Sequence, residues 1–241
     1  METVKPYSLE GSKKEQVASM FNAISRRYDV LNRTLSLGID VLWRKKTVRS
    51  IQTHHPLQVL DVATGTGDLA IALARALPNA TVKGIDISSG MLEVGRQKLV
   101  NKSEGKRVEL LLGDGEQLPF AEASFDAVTV AFGVRNFEHL SAGLQEMRRV
   151  LRPGKPLAVL EFSQPEKQPF RALYFFYFQY ILPTIGKWVS RDASAYTYLP
   201  ASVKAFPYGQ EFANVLLSAG FTKVRIHPLT FGIATLYVAE K

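Results

Sequence analysis

The sequence predicts an α/β fold: a doubly wound, mostly parallel seven-stranded sheet ending in an antiparallel hairpin, with helices before the first strand and a helical insert after the fifth. Three observations carry that expectation. The stretch VLDVATGTGDLA, Val59 to Ala70, reads as a buried strand, a glycine turn and the first turn of a helix. Beyond it, strand-like and helix-like runs alternate as far as residue 163. Near the end, KVRIHPLT and IATLYVAEK are two strand-like runs too close together for a crossover helix.

Val59, Leu60, Val62 and Ala63 form the apolar run of a strand covered on both faces, and Gly65 and Gly67 allow a tight turn and close backbone approach. Leu69 to Leu77 predicts a helix and Ala80 to Ile87 the second strand. Ser88 caps a helix running to Leu99, and Val108 to Asp114 is the third strand. Phe125 to Gly133 is the fourth, followed by a helix over Leu144 to Leu151 that stops at RPGK, and Pro156 to Ser163 is the fifth. Residues 10–55 predict helices rich in aromatic and basic side chains, and Phe170 to Val189 an aromatic helix-like insert. The expected organisation is one domain: an N-terminal helical cap (1–55), a ligand-binding core (56–163), a helical lid (164–220) and terminal strands (221–241).

Composition narrows the classes. The chain of 241 residues has no Cys, which removes disulfides and thiol nucleophiles. Its N-terminus is polar, without the apolar region of a signal peptide, and no run of about 18 uncharged apolar residues occurs, so a cytoplasmic protein is expected. A net charge of +8 suits an anionic partner, either nucleic acid or a negatively charged membrane face.

Gly65-x-Gly67-x-x-Ala70 fits the loose pattern of nucleotide-binding loops, but Asp61 and Asp68 flank it and would repel a pyrophosphate. That weakens a nicotinamide dehydrogenase reading. S-adenosylmethionine (SAM) fits better, because it carries a sulfonium and an ammonium, while its lone carboxylate can use the loop N–H groups. Asp86 closes the second strand, where a carboxylate can accept both ribose hydroxyls; Asp114 with Gly115 closes the third, where an acid and an N–H can read an adenine edge.

VLDVATGTGD, GIDISSGML, GDGEQLPF, AFGVRNFEHLSAGLQEMRRVLRPG and LEFSQP together resemble the UbiE/MenG family, the SAM-dependent C-methyltransferases of menaquinone and ubiquinone biosynthesis. The resemblance extends back to MFNAISRRYDVLNRTLSLGIDVLWRK and forward through DASAYTYLPASVKAFP and LTFGIATLY; FGVRN and YTYLPASV are its most specific parts. It implies the class I SAM-dependent methyltransferase (Rossmann-like) fold. Thr66, Asp86 and the Asp114–Gly115 pair would contact SAM, with Gly65 and Gly67 shaping the loop and Asp61 beside it. Where some members carry Ser before FG, this chain carries Ala131 and lacks that hydroxyl. The implied reaction is C-methylation of a demethylmenaquinol ring, with a polyprenyl benzoquinol of ubiquinone biosynthesis, another small molecule or RNA as alternative acceptors. RNA is disfavoured, since AFGVRN is not the Asn/Asp-Pro-Pro-aromatic turn of amino-group methylases and no Cys can attack a pyrimidine. A non-catalytic SAM-binding or nucleic-acid-binding module is the reading from another class.

For the chemistry, Arg135 and Asn136 follow the fourth strand, where their donors suit an oxyanion developing on the ring. The competing reading makes Arg135 a salt-bridge anchor to Asp68 or Glu161. His139 is a candidate proton acceptor or a helix cap, and His54 and His55 lack partner ligands, so no metal is expected. In the insert, Tyr174, Phe175, Phe178, Tyr180 and Ile181 read either as core at helical spacing or as the lining of a pocket for a prenylated ring, with Tyr196 and Tyr198 at its rim. Arg171, Gln179, Pro183 and Lys187 interrupt it too often for a membrane span. The expected partners are a polyprenylated quinol and the anionic inner face of a membrane, with a homo-oligomer left open.

Overall fold

β1 (Gln58–Val62) lies mid-sheet, between β2 (Thr81–Asp86) and β4 (Ala127–Ala131), because its near-continuous apolar run suits a strand covered on both faces. The computed structural model describes residues 4–7, 10–177 and 194–241, the last stretch with side chains from residue 197. β3 (Val108–Leu112), β5 (Pro156–Phe162), β6 (Thr222–Leu229) and β7 (Ala234–Glu240) complete the sheet in the order β3-β2-β1-β4-β5-β7-β6. The first five strands run parallel, and β7 is antiparallel to both β5 and β6, which is the expected hairpin finish.

Alternation along the strands divides the core. Val59 packs on one face with Trp43, Leu73 and Leu92, whereas Leu60 packs on the other with Leu144, Met147 and Phe212. The first face is covered by α2 (Ile39–Gln52), α3 (Asp68–Ala76) and α4 (Ser89–Leu99), the second by α5 (Leu140–Val150) and a late helix, Gln210–Ser218. Before them runs α1 (Lys13–Leu35), started by a capping box in which Ser12 and Glu15 exchange side-chain and backbone hydrogen bonds. After β5 come α6 (Phe170–Phe176) and then α7 (Ser194–Ala205); the Gln210–Ser218 helix is α8. The predicted residues Phe178, Tyr180, Ile181 and the side chain of Tyr196 lie outside the described residues.

Three elements of the core differ from the sequence expectation by more than one residue at an end. β3 stops at Leu112, because its partner β2 ends at Asp86: the Gly113 N–H makes the last ladder bond, to the Asp86 carbonyl, and the chain turns at Asp114. β4 is shorter at both ends than Phe125 to Gly133: Phe125 makes only an isolated bridge to Leu151, and Phe132 takes φ 58°. α5 begins at Leu140 rather than Leu144, because Leu140, Leu144 and Met147 form one apolar face across the intervening Ser141 and Gly143.

Gly143 itself is sterically required. A Cβ there would lie 2.2 and 2.3 Å from Phe137 ring carbons, and that ring also packs against Gly115. Gly143→Ala is therefore expected to cost about 1–3 kcal/mol through overpacking, measured by urea unfolding; an unchanged midpoint would show that the ring can move aside.

Candidate active site

The carboxyl ends of β1, β2, β3 and β4 open into a narrow cleft of about 70 Å³ whose walls include Gly65, Asp86, Asp114, Gly115, Ala131 and Asn136. Register explains the convergence: Val62 of β1 pairs with Ile85 of β2 and with Val130 of β4, so the turns that follow leave the sheet side by side. Gly65 (φ 57°) and Gly67 (φ 76°) take left-handed angles in the turn before α3, and a Cβ built on Gly65 would meet nothing within 4 Å. A ligand can thus approach bare backbone.

Asp86 is fixed from two sides. Its Oδ2 accepts the Gly65 N–H at 2.8 Å and its Oδ1 the Ser88 N–H at 2.8 Å, tying the glycine loop to the start of α4. Burial raises its pKa against these hydrogen bonds. The Ile87 N–H adds a third backbone hydrogen bond, which leaves one of the four carboxylate lone pairs, and the side chain lines the cleft.

α1 covers the cleft. Lys14, Val17, Phe21 and Tyr28 form its outer wall, and Lys14 Nζ lies 2.5 Å from Asp114 Oδ2 and 3.4 Å from Glu116. Asn22 Oδ1 accepts from the Ser88 hydroxyl at 2.8 Å and the Gly90 N–H at 2.9 Å. Farther along, Asp29 accepts from the Thr66 hydroxyl at 2.6 Å and pairs with Lys98 at 2.5 Å. The groups present suit SAM: a carboxylate at the end of β2, an acid–glycine pair after β3 and an uncovered glycine backbone. The volume is below the roughly 300–1,000 Å³ of ligand pockets, because the α1 side chains Lys14, Val17, Phe21 and Tyr28 take up space above the strand ends.

On the other side of α1 lies an apolar cavity of about 520 Å³, walled by α1, α2, α6 and the turn between β6 and β7. Phe21, Tyr28 and Phe132 line both cavities, so the two meet there. Arg135 lines the apolar cavity and its neighbour Asn136 lines the cleft. Tyr198 bridges them: it lines the apolar cavity and donates its hydroxyl to Asn136 Oδ1 at 3.1 Å, with burial pushing its pKa up to about 12.

Arg135 is buried, its side chain 6% exposed, and its Nη1 donates to Glu161 Oε1 at 2.7 Å and to the Phe132 carbonyl. Glu161 is 0% exposed, and its desolvation raises its pKa despite the guanidinium. The guanidinium also stands over the Phe162 ring at 5.3 Å. Among the described residues, Arg135 Nε is a buried donor without a hydrogen-bond partner.

The structure brings Gly65, Asp86, Asp114, Gly115 and Asn136 together on the cleft. Thr66 and Asp61 do not line it: Thr66 turns its hydroxyl to Asp29 and Lys98, and Asp61 lies beneath the loop. Gly67 shapes the turn and packs near Leu110. His139 occupies the cap position of α5 without a capping hydrogen bond, is exposed and lines neither cavity, which removes the sequence argument for it as proton acceptor. Of the two partners considered for Arg135, Glu161 is the one found; Asp68 pairs with Arg44 and Lys98. The contributions of Lys14, Asn22 and Asp29 were not anticipated, because helical periodicity does not disclose which polar face covers a distant cleft.

Asp61 accepts from Thr64 Oγ1 at 2.6 Å and Thr129 Oγ1 at 2.7 Å. Burial outweighs those bonds and lifts its pKa from 3.8 to about 6, with Asp86 adding to the rise. Between those values the folded state holds a proton that the unfolded chain has released, so stability falls as pH rises through that window. Relative to Asp61→Asn, the wild type is expected to lose on the order of 2–3 kcal/mol between about pH 4 and about pH 7. Parallel urea-unfolding curves across that range would exclude Asp61 as the source.

Known proteins place this geometry. The ubiE/COQ5 methyltransferase family matches residues 9–241. A demethylmenaquinone methyltransferase of Bacteroides fragilis is 47% identical over 240 residues, covering 100% of this chain and 98% of its own. A ubiquinone/menaquinone biosynthesis C-methyltransferase UbiE of Geotalea daltonii is 46% identical over 95% of this chain and 97% of its own. In fold, the crystal structure of a SAM-dependent methyltransferase from Aquifex aeolicus superposes with a TM-score of 0.54 at 22% identity, over 76% of this chain and 81% of that one. With a family match over nearly its whole length and close relatives along all of it, the chain belongs to the ubiE/COQ5 methyltransferase family.

Proposed function

We propose that the protein transfers the methyl group of SAM to a ring carbon of a demethylmenaquinol, giving menaquinol, where its two cavities meet. The observation that carries this reading is the wall shared by Phe21, Tyr28 and Phe132, which sets the cleft bearing Asp86 and Asp114, for the donor, directly against a larger apolar chamber for the acceptor. The name of the Bacteroides relative supports it. A polyprenyl benzoquinol is the second reading, favoured by the Geotalea relative, whose name covers both quinones.

When bound, SAM supplies an electron-poor methyl for in-line displacement. Asp86 would hold a hydroxyl of its ribose, and Asp114 with Gly115 its adenine edge, while Asp61 and Thr66 support the loop from behind. The acceptor ring becomes a carbon nucleophile as its hydroxyl gives a proton to water while the quinol enters, and Arg135 stabilises the oxyanion with its buried Nε donor. The ring C–H proton leaves when the ring regains aromaticity after transfer, and it re-protonates the oxyanion or passes to water. An arginine is too basic to take the proton itself. Asn136, oriented by Tyr198, lines the donor side of the junction. The apolar chamber excludes water from both partners. From the expected lid region 164–220, α6 and α7 wall that chamber beside the SAM-binding core at 56–163, and the net charge of +8 draws the protein to an anionic membrane face.

The test supplies labelled SAM with reduced demethylmenaquinone, with the demethylated benzoquinol and with RNA, and analyses each product by mass spectrometry. A single methyl on the naphthoquinol carbon is expected at the highest rate. Label in RNA alone would overturn the assignment.

A further inference from the structure

Three side chains line the apolar cavity while facing solvent: Leu37 (85% exposed) between α1 and α2, Leu173 (65%) on α6, and Phe231 (65%) between β6 and β7. They frame its mouth. The segments carrying them are fastened together, with Phe170 stacked on Phe231 at 3.7 Å between ring centroids and the Tyr177 hydroxyl donating to the Leu35 carbonyl at 2.8 Å. Leu42, Phe175 and Phe176 extend the exposed apolar surface on α2 and α6. Grouped large apolar side chains at a cavity entrance mark an interaction surface, unlike scattered ones.

Charge identifies the partner. On α1, exposed Arg26, Val30 and Arg33 fall at helical spacing on one face that leads to Leu37. On α2, exposed Leu42, Lys45, Lys46 and Arg49 form a second such stripe. Of the two acids between residues 21 and 52, Asp29 is paired with Lys98, and Asp40 is buried against Arg44 with Arg33 at 3.9 Å, so the other four cations of the stripes, Arg26, Lys45, Lys46 and Arg49, form no ion pair among the described residues. An apolar centre beside basic stripes matches hydrocarbon beneath anionic headgroups. A second copy docked symmetrically would set cations against cations.

We propose that this face docks on an anionic lipid bilayer, seating Leu37, Leu173 and Phe231 among the acyl chains so that the cavity opens into hydrocarbon. The inference rests on the reading of the cavity as the site of a prenyl-tailed quinol, whose tail then enters from the lipid without crossing water. Contact is from one side, as no helix among the described residues is long and apolar enough to cross a membrane.

The experiment uses the full chain with vesicles of phosphatidylcholine alone or mixed with phosphatidylglycerol, read by co-sedimentation. Leu42→Glu/Phe176→Glu changes side chains that do not line the cavity, and Lys45→Gln/Lys46→Gln is a second, milder variant. Each is expected to lower partitioning onto the anionic vesicles about tenfold or more. Transfer to a short-tailed, water-soluble quinol should stay within about twofold of wild type, while transfer to a long-tailed quinol embedded in vesicles falls in parallel with partitioning. Wild-type partitioning by both variants would overturn the proposal, as would equal wild-type binding to neutral vesicles, or a wild-type dimer in light scattering that the first variant dissociates. If the wild type methylates the short-tailed quinol but ignores vesicles, docking fails and the substrate reading stands. If it docks as described but methylates no quinol, docking stands and the substrate reading fails.

Discussion

Arg135→Met is expected to lower methyl transfer about 10²-fold or more at saturating SAM while leaving SAM affinity nearly unchanged, the scale for losing one oxyanion donor. The same substitution strips Glu161 of its buried partner, and an uncompensated carboxylate at 0% exposure costs about 3–5 kcal/mol of stability. The two effects are separable. Arg135→Met/Glu161→Gln removes the unpaired charge together with the donor, so it should regain most of the lost stability without regaining the rate. Single-turnover assays on both folded variants read the difference. If the double variant returns to the wild-type rate, Arg135 serves only to neutralise Glu161. Arg135→Lys should be an incomplete substitute, because an ammonium can reproduce the Nη1 contacts to Glu161 and the Phe132 carbonyl but has no counterpart of the buried Nε donor.

Asp86→Ala is expected to weaken SAM binding by roughly 2 kcal/mol or more, about 30-fold in Kd. The substitution deletes the acceptor proposed for the ribose and releases the N–H groups of Gly65 and Ser88. The glycine loop and the start of α4 lose their common tether, so loop order should decline along with affinity. Titration calorimetry on the folded variant measures the loss; an unchanged Kd would take Asp86 out of the cofactor site.

Much of the frame was legible because two strong local signals agree with the tertiary structure. Continuous apolar runs marked β1 and β5, and Ser88 marked the start of α4, since these patterns respond to burial and to unpaired N–H groups nearby in the chain. Boundaries slipped where distant partners decide, as at the end of β3, which stops at Leu112 because the strand it pairs with ends at Asp86. In the site, Asp86, Asp114, Gly115 and Asn136 could be placed because strand ends in a doubly wound sheet converge. Lys14 and Asn22 could not. They approach along α1, and nothing local in SKKEQ or MFNAI encodes the strand ends they meet. Thr66 shows the converse, a residue correctly assigned to the loop whose hydroxyl is claimed by Asp29 and Lys98.

The wall that α1 gives to both cavities imposes an order on events. If the donor occupies the cleft as proposed, its exchange requires Lys14 to release Asp114 and Asn22 to release Ser88, and such a movement would carry Phe21 and Tyr28 away from the acceptor chamber. Loading the donor and enclosing the ring then fall at different moments of the cycle. A burst, in which the first equivalent of product forms faster than those that follow, is the expected sign that this exchange and not bond making sets the pace; a linear time course from the first turnover would rule it out.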